Sequence, residues 1–165
     1  MKTSLKFAAV ALVLGLSACT NADRFGNASG QAAGSVVNAA ADPSSPAYFQ
    51  TTVGDRVLFA VDQSTLSDEA RQVLVAQSAW LMANGDYTAI IEGHADEQGT
   101  REYNLALGAR RASAVQEFLV NQGVAGGRLR TVTYGKERPI AICSDETCYS
   151  QNRRSVTVLT AGVGS

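Results

Sequence analysis

The sequence predicts an α/β fold of the α+β sandwich type: a mixed sheet of about four strands with two main helices packed on one face. Three observations lead there. Segments of strand and helix character alternate between residues 56 and 134. Two long stretches carry apolar residues at helical spacing. The last strand-like segment, near the C terminus, alternates with a period of two. The chain has 165 residues, 45% of them apolar and 18% charged, which is enough apolar material for one core of ordinary size. Its formal net charge of −1 creates no global field for nucleic acid or an anionic membrane surface, and no nucleic-acid partner is expected.

The elements follow in order. Arg56-Val57-Leu58-Phe59-Ala60 reads as the first strand. Leu66, Ala70, Val73, Leu74, Gln77 and Leu81 share one helical face, and Asn84-Gly85-Asp86 stops that helix. Thr88-Ala89-Ile90-Ile91-Glu92-Gly93 is the second strand. A second helix runs from Tyr103 to Gln122 and ends at Gly123. Leu129-Arg130-Thr131-Val132-Thr133-Tyr134 is the third strand, and Ser155-Val156-Thr157-Val158-Leu159-Thr160 the fourth. Between these last two lies Cys143-Ser144-Asp145-Glu146-Thr147-Cys148, read as a short acidic loop. Its cysteines either pair or remain two free thiols, and an oxidising compartment favours the bridge.

The N terminus reads as an address. Lys2 and Lys6 precede ten apolar residues, Phe7 to Leu16, the layout of a secretory signal. As a helix that run rises only about 15 Å, half of a bilayer's hydrocarbon core. It closes on Leu16-Ser17-Ala18-Cys19, which resembles a bacterial lipobox. The resemblance implies cleavage before Cys19, lipidation of its sulfur and durable membrane attachment through several acyl chains. Thr20 follows where an Asp would direct such proteins to the inner membrane, so the outer membrane is expected, with the domain facing the periplasm. The expected organisation is a signal peptide over residues 1–18, a lipidated N terminus and linker over 19–47, and one domain over 48–165. The linker is rich in Ala, Gly, Ser and Asn and buries too little to offset its ordering entropy. As a coil it spans roughly 30 Å on average.

The chemistry concentrates after the second strand. His94-Ala95-Asp96-Glu97-Gln98-Gly99-Thr100 is a polar loop at a strand end, where sites are commonly built. On the following helix Leu107, Arg111, Val115 and Leu119 are spaced by four, which puts Arg111 on or beside the buried face. A guanidinium there requires a carboxylate or a bound anion. Asn104 sits two turns earlier, and Asp96 and Glu97 are the nearest acids. Two readings stay open: a pocket for a zwitterion, with its ammonium on Asp96 and its carboxylate on Arg111, or a structural ion pair between those residues.

Gly93-His94-Ala95-Asp96-Glu97-Gln98-Gly99-Thr100, with Glu102-Tyr103-Asn104, Leu107-Gly108 and Arg111-Ala112, resembles the signature of OmpA-like peptidoglycan-binding domains. The spacing Asn-x-x-Leu-x-x-x-Arg-Ala-x-x-Val-x-x-x-Leu is met by Asn104, Leu107, Arg111, Ala112, Val115 and Leu119. Tyr134-Gly135-Lys136-Glu137-Arg138-Pro139 and Asn152-Arg153-Arg154-Ser155-Val156 fit as well. The resemblance covers about Tyr48 to Thr160, and the lipobox points to the lipid-anchored members that belong to the Tol–Pal envelope system. It implies non-covalent binding of peptidoglycan, with Asp96 and Arg111 gripping diaminopimelate of the wall peptide. Phe59 and Asp62 would line the groove, with Val61 where an aromatic is common, and Asn104, Leu107, Thr100 and Arg154 would support it. The implied role is to tether the outer membrane to the cell wall, supporting envelope integrity and cell division, with the periplasmic β-propeller protein TolB and the inner-membrane protein TolA as partners.

Two other classes are weighed against this one. His94, Asp96 and Glu97 lie within four residues and could act as an acid–base set or as metal ligands. The chain has one histidine, so a common hydrolytic zinc site is incomplete, and neither catalysis, nor a metal, nor a cofactor is expected. A stator-type wall anchor of a flagellar motor would carry a membrane-spanning helix in addition.

Overall fold

The computed structural model describes residues 41–161. The lipobox and Cys19 lie outside the described residues. Four strands, β1 (Arg56–Leu58), β2 (Tyr87–His94), β3 (Leu129–Gly135) and β4 (Arg154–Ala161), form one mixed sheet in the order β1-β4-β2-β3. β4 is antiparallel to both its neighbours, and β2 and β3 are parallel. A parallel pair needs a crossover. Helix α2 (Arg101–Asn121) supplies it and packs on both strands it joins. Helix α1 (Asp68–Ala83) packs against β1 and α2. Among the described residues no helix is long and apolar enough to cross a membrane.

Helix starts follow capping chemistry. Ser67 and Thr100 each turn a side-chain oxygen onto a free amide of the first turn, from Ala70 and Tyr103. Thr100 therefore moves the start of α2 to Arg101, two residues before the position expected from periodicity. The core lies between helices and sheet, and Phe49, Leu74, Leu81, Ile91, Val115 and Leu119 are fully buried in it. Gln77 shares this layer because both ends of its amide are satisfied, by Gly54 O at 2.7 Å and by the Thr157 hydroxyl at 2.8 Å. α2 crosses β2 closely. A Cβ on Gly93 would stand 1.8 Å from the carbonyl oxygen of Gly108, so only two glycines permit this crossing.

The chain just before Tyr48 packs on the domain: residues 46–48 form a helical turn capped by Ser45, and Trp80 Nε1 donates to Pro43 O at 2.7 Å. Two expectations are corrected. The first strand ends at Leu58, not Ala60, because the carbonyls of Phe59 and Ala60 turn to accept from arginine side chains. The cysteine segment is not simply a loop. Helix α3 (Glu146–Asn152) occupies its second half, and Asp145 caps it by accepting from Thr147 N and Cys148 N. A helix this short carries no periodicity to read and is marginal without such a cap.

Candidate functional site

Strand β2 carries the chain to the end of the sheet, and a register irregularity between Gly93 and His94 releases it into the polar loop. Asp96 is anchored at once. One carboxylate oxygen accepts from Gln98 N at 3.2 Å, the other from Arg153 Nη1 at 3.1 Å. Gly99 takes a positive φ of 89°, a conformation that suits glycine, and so folds the loop back toward α2. There Asn104, buried, donates to Gln98 O at 2.7 Å. Lys136 closes the outside, donating to Gly99 O at 2.7 Å.

The loop, the start of α2 and the segment after β1 enclose a cavity of about 240 Å³. Asp62, Asp96, Asn104, Leu107 and Arg111 line it, together with Val61, Gln98, Gly99 and Tyr103. Its size suits one amino-acid end group, below the usual range for a drug-sized ligand. Asp62 holds a positive φ of 58°, and its carboxylate accepts from the Tyr103 hydroxyl. A larger hollow of about 400 Å³ lies at the other end of the sheet, lined by Thr88, Ile90, Arg128, Arg130 and Thr160 among others. Its charged side chains are of one sign, so it lacks the paired charges of the smaller cavity.

Arg111 is fully buried, yet its partners are not the expected carboxylate. Nε donates to Gln63 O at 2.8 Å, Nη1 to His94 O at 2.8 Å and Nη2 to Ala60 O at 3.1 Å. Phe59 packs beneath the guanidinium, 5.1 Å from ring centre to Cζ. Burial lowers its pKa to about 10, against the opposing pull of Asp96, so it stays charged at neutral pH. The direct Asp96–Arg111 ion pair is therefore absent: the carboxylate belongs to Arg153 and the guanidinium to the backbone. A guanidinium has five N–H donors, of which three are committed here and two have no hydrogen-bond partner among the described residues.

The structure thus brings together Asp62, Asp96, Asn104, Leu107 and Arg111. It does not bring the other three to the cavity wall. Thr100 caps α2, Phe59 lies below Arg111, and Arg154 points elsewhere, donating to Asn152 O and Arg138 O. Its neighbour Arg153, in the same Asn152-Arg153-Arg154 motif, reaches Asp96 instead, a role the resemblance did not assign to it. Period-two alternation was the signal, since adjacent residues entering a strand face opposite sides.

Arg153 is buried and densely engaged. Nε donates to Phe59 O at 3.2 Å, Nη1 to Asp96 and also to Glu146 at 3.3 Å, and Nη2 to Glu146. The Glu146 carboxylate holds the guanidinium above the ordinary arginine range, and the guanidinium holds Glu146 below the ordinary glutamate range. Asn152 ties the same helix to the loop, donating to Glu97 Oε2 at 3.3 Å. Cys143 and Cys148 form a disulfide with Cα atoms 5.6 Å apart. Together with Asp145 they form a cluster within 4.8 Å, but the bonded sulfurs have no thiolate to offer a metal.

His94 belongs to no cluster of possible metal ligands among the described residues. It is buried with both ring nitrogens lacking a hydrogen-bond partner among the described residues, and Nε2 lies 3.4 Å from Glu92. Burial first, then Arg154 and Arg138, push its pKa down to about 4. It is a neutral ring packed on Tyr134, with centroids 5.5 Å apart.

The OmpA family model matches residues 58–153. The peptidoglycan-associated lipoprotein of Agrobacterium fabrum is 48% identical over 155 residues, covering 92% of this chain and 85% of the relative. That of Rhizobium meliloti is 49% identical over 158 residues, covering 95% and 88%. Among solved structures, the peptidoglycan-associated lipoprotein from Burkholderia pseudomallei matches with a TM-score of 0.67 and 34% identity, over 72% of this chain and 100% of that one. The C-terminal domain of Helicobacter pylori MotB matches with a TM-score of 0.61 at 18% identity, over 66% and 86%, a likeness of fold alone.

Proposed function

The chain belongs to the OmpA family, among its peptidoglycan-associated lipoproteins, and on that premise we propose that it holds the cell wall non-covalently from a lipid anchor in the outer membrane. It is a binding protein and not an enzyme. The observation that carries the reading is the cavity, where the carboxylates of Asp62 and Asp96 and the buried guanidinium of Arg111 line one small space. A ligand that satisfies both signs at once is a zwitterion.

The distal centre of diaminopimelate in a wall peptide has that form. Its ammonium would face Asp96, and its carboxylate would take the two uncommitted N–H groups of Arg111. Leu107 supplies apolar wall for the intervening methylenes. Cys19 would carry the anchor, and the chain between it and the domain would let the domain reach the wall at a distance. TolB and TolA are the partners this reading implies, and envelope integrity and cell division the processes it would serve.

The test is sedimentation of the full-length protein with purified diaminopimelate-type peptidoglycan, alongside circular dichroism melts. Asp96→Asn keeps the shape and removes the charge that faces the ammonium. It is expected to reduce binding roughly tenfold or more, since a hydrogen bond to a charged group contributes about 1.5–3 kcal/mol. A folded Asp96→Asn protein that sediments like the parent would sink the site, and soluble muropeptide products from the wall would favour an enzyme instead.

A further inference from the structure

The carboxylate at the centre of the proposed grip is not held by its own loop alone. Gln98 N fixes one oxygen of Asp96 and Arg153 Nη1 the other, so the direction in which the carboxylate faces the cavity depends on where Arg153 stands. Arg153 lies at the end of α3 and is fixed by Phe59 O behind it and Glu146 beside it. Glu146 and Cys148 share the first turn of α3, and the disulfide ties that turn to Cys143. Asn152, at the other end, accepts from Ile140 N and Ala141 N and donates to Glu97 of the ligand loop. The stapled helix and the loop are thus joined twice, at Asp96 and at Glu97, although α3 contributes no residue to the cavity wall.

We propose that Arg153 is a positioning residue for wall capture: it aims the Asp96 carboxylate at the ligand's ammonium, from a helix braced by the Cys143–Cys148 bridge. This rests on the wall-binding reading above. A planar guanidinium serves Phe59 O, Asp96 and Glu146 together because its donors diverge in one plane. An ammonium at the same place is a single point and cannot hold all three. The charge beside Asp96 would then survive an Arg-to-Lys change, but its placement would not.

The experiment uses the lipidated full-length protein in detergent and two soluble probes. One is a wall tripeptide ending in diaminopimelate; the other is the same tripeptide with its distal amine acetylated. Calorimetry of each gives the preference for the free ammonium. The parent is expected to prefer the free amine by about tenfold or more. Arg153→Lys is expected to lose most of that preference while binding the acetylated peptide as the parent does. Glu146→Gln, at an exposed site that does not threaten the core, is expected to shift the preference in the same direction. Cys143→Ser with Cys148→Ser should do so more weakly. A purely structural role predicts another pattern, in which both peptides weaken alike and the preference stays; that result in Arg153→Lys and Glu146→Gln overturns the proposal. A serine pair with the parent's preference overturns the brace. A parent that binds neither peptide overturns the wall-binding reading itself, a different result from loss of preference alone.

Discussion

The two ends of this one sheet are built from different materials. Around the start of β2, the buried residues are Phe49, Trp80, Leu81, Ala89, Leu119 and Leu129, an apolar core with aromatic rings 4.9 Å apart at Phe49 and Trp80. Around its end they include His94, Asp96, Asn104, Arg111, Asn152, Arg153 and Arg154, set beside the apolar Phe59, Ala95 and Leu107. Burying apolar surface stabilises wherever shape permits, whereas burying charge costs free energy until every donor and acceptor is matched. The polar end meets much of that demand by turning backbone carbonyls inward: Phe59 O, Ala60 O, Gln63 O and His94 O all accept from guanidinium groups. The lesson is that charge is placed beside the cavity by unravelling the end of β1 rather than by pairing acids with bases one to one. Three acceptors hold Arg111 without neutralising it, and its charge remains available to a ligand.

The sharpest way to break this contrast is to remove the guanidinium. Arg111→Leu removes the guanidinium donor from three inward-facing carbonyls, of which Ala60 O keeps only the Gln63 amide at 3.2 Å, and is expected to lower stability by about 3–5 kcal/mol, measured by urea denaturation. If it unfolds at the parent's midpoint, the carbonyls are not held by Arg111 and the contrast fails. For the same reason Arg111→Ala cannot cleanly separate folding from wall binding, and Asp96 is the better probe of the site. Leu74→Ala makes the matching cut at the apolar end, where the side chain is fully buried. It should cost about 2–4 kcal/mol through lost transfer and a cavity. Here the folded protein should bind peptidoglycan as the parent does, and a weakened wall affinity at full folding would mean that the two ends are coupled.

Titration sharpens the comparison further, because only the polar end buries a group that can change charge near neutrality. In the folded protein His94 takes a proton only near pH 4, whereas in the unfolded chain it does so near 6.5. Between those values the unfolded state binds a proton that the folded state refuses. Stability from this residue is therefore full above about pH 6.5, falls as the pH drops, and levels off below about 4. The loss is at most about 3 kcal/mol. His94→Gln should flatten that part of the stability–pH curve while leaving carboxylate titration below it in place. An unchanged slope would show that His94 is not the group responsible.

The apolar end was legible in the sequence because periodicity reports burial. Ala70, Leu74, Gln77 and Leu81 lie on the buried face of α1 as their spacing predicts, and Leu107, Arg111, Val115 and Leu119 do so on α2. At the polar end the residue types were legible but their pairings were not. Asp96 and Arg111 do line one cavity, yet Asp96 pairs with Arg153, 57 positions away, and Arg111 with carbonyls that any residue could supply. Backbone acceptors leave no trace in side-chain identity. Of the adjacent pair Arg153 and Arg154, the motif pointed to both, and only strand geometry separates the one that reaches Asp96 from the one that turns to Arg138 O. Helix α3 was hidden because one capping aspartate and a disulfide, not an amphipathic stripe, define it.

That disulfide makes the smallest of the expected changes and bears on how the polar end is stabilised. It closes a loop with a sequence separation of five, a short span for which the chain-entropy model gives about 2 kcal/mol. Much of this acts on the unfolded chain, which the bridge deprives of conformations, so the benefit does not require new contacts in the folded state. Replacing both cysteines by serine should therefore lower the urea midpoint by an amount equivalent to about 2 kcal/mol. A reduced and alkylated parent is a poorer comparison, since Cys148 is buried and bulky caps would wedge α3 apart. The two ends of the sheet answer differently to this cut. If α3 acts as a semi-independent clamp, amide exchange in the serine variant should quicken in residues 140–152 and in the Asp96 loop they hold, but not around Trp80 and Leu119. If protection instead falls evenly over the whole domain, the bridge acts only through the unfolded state, and the polar end depends on it no more than the apolar end does.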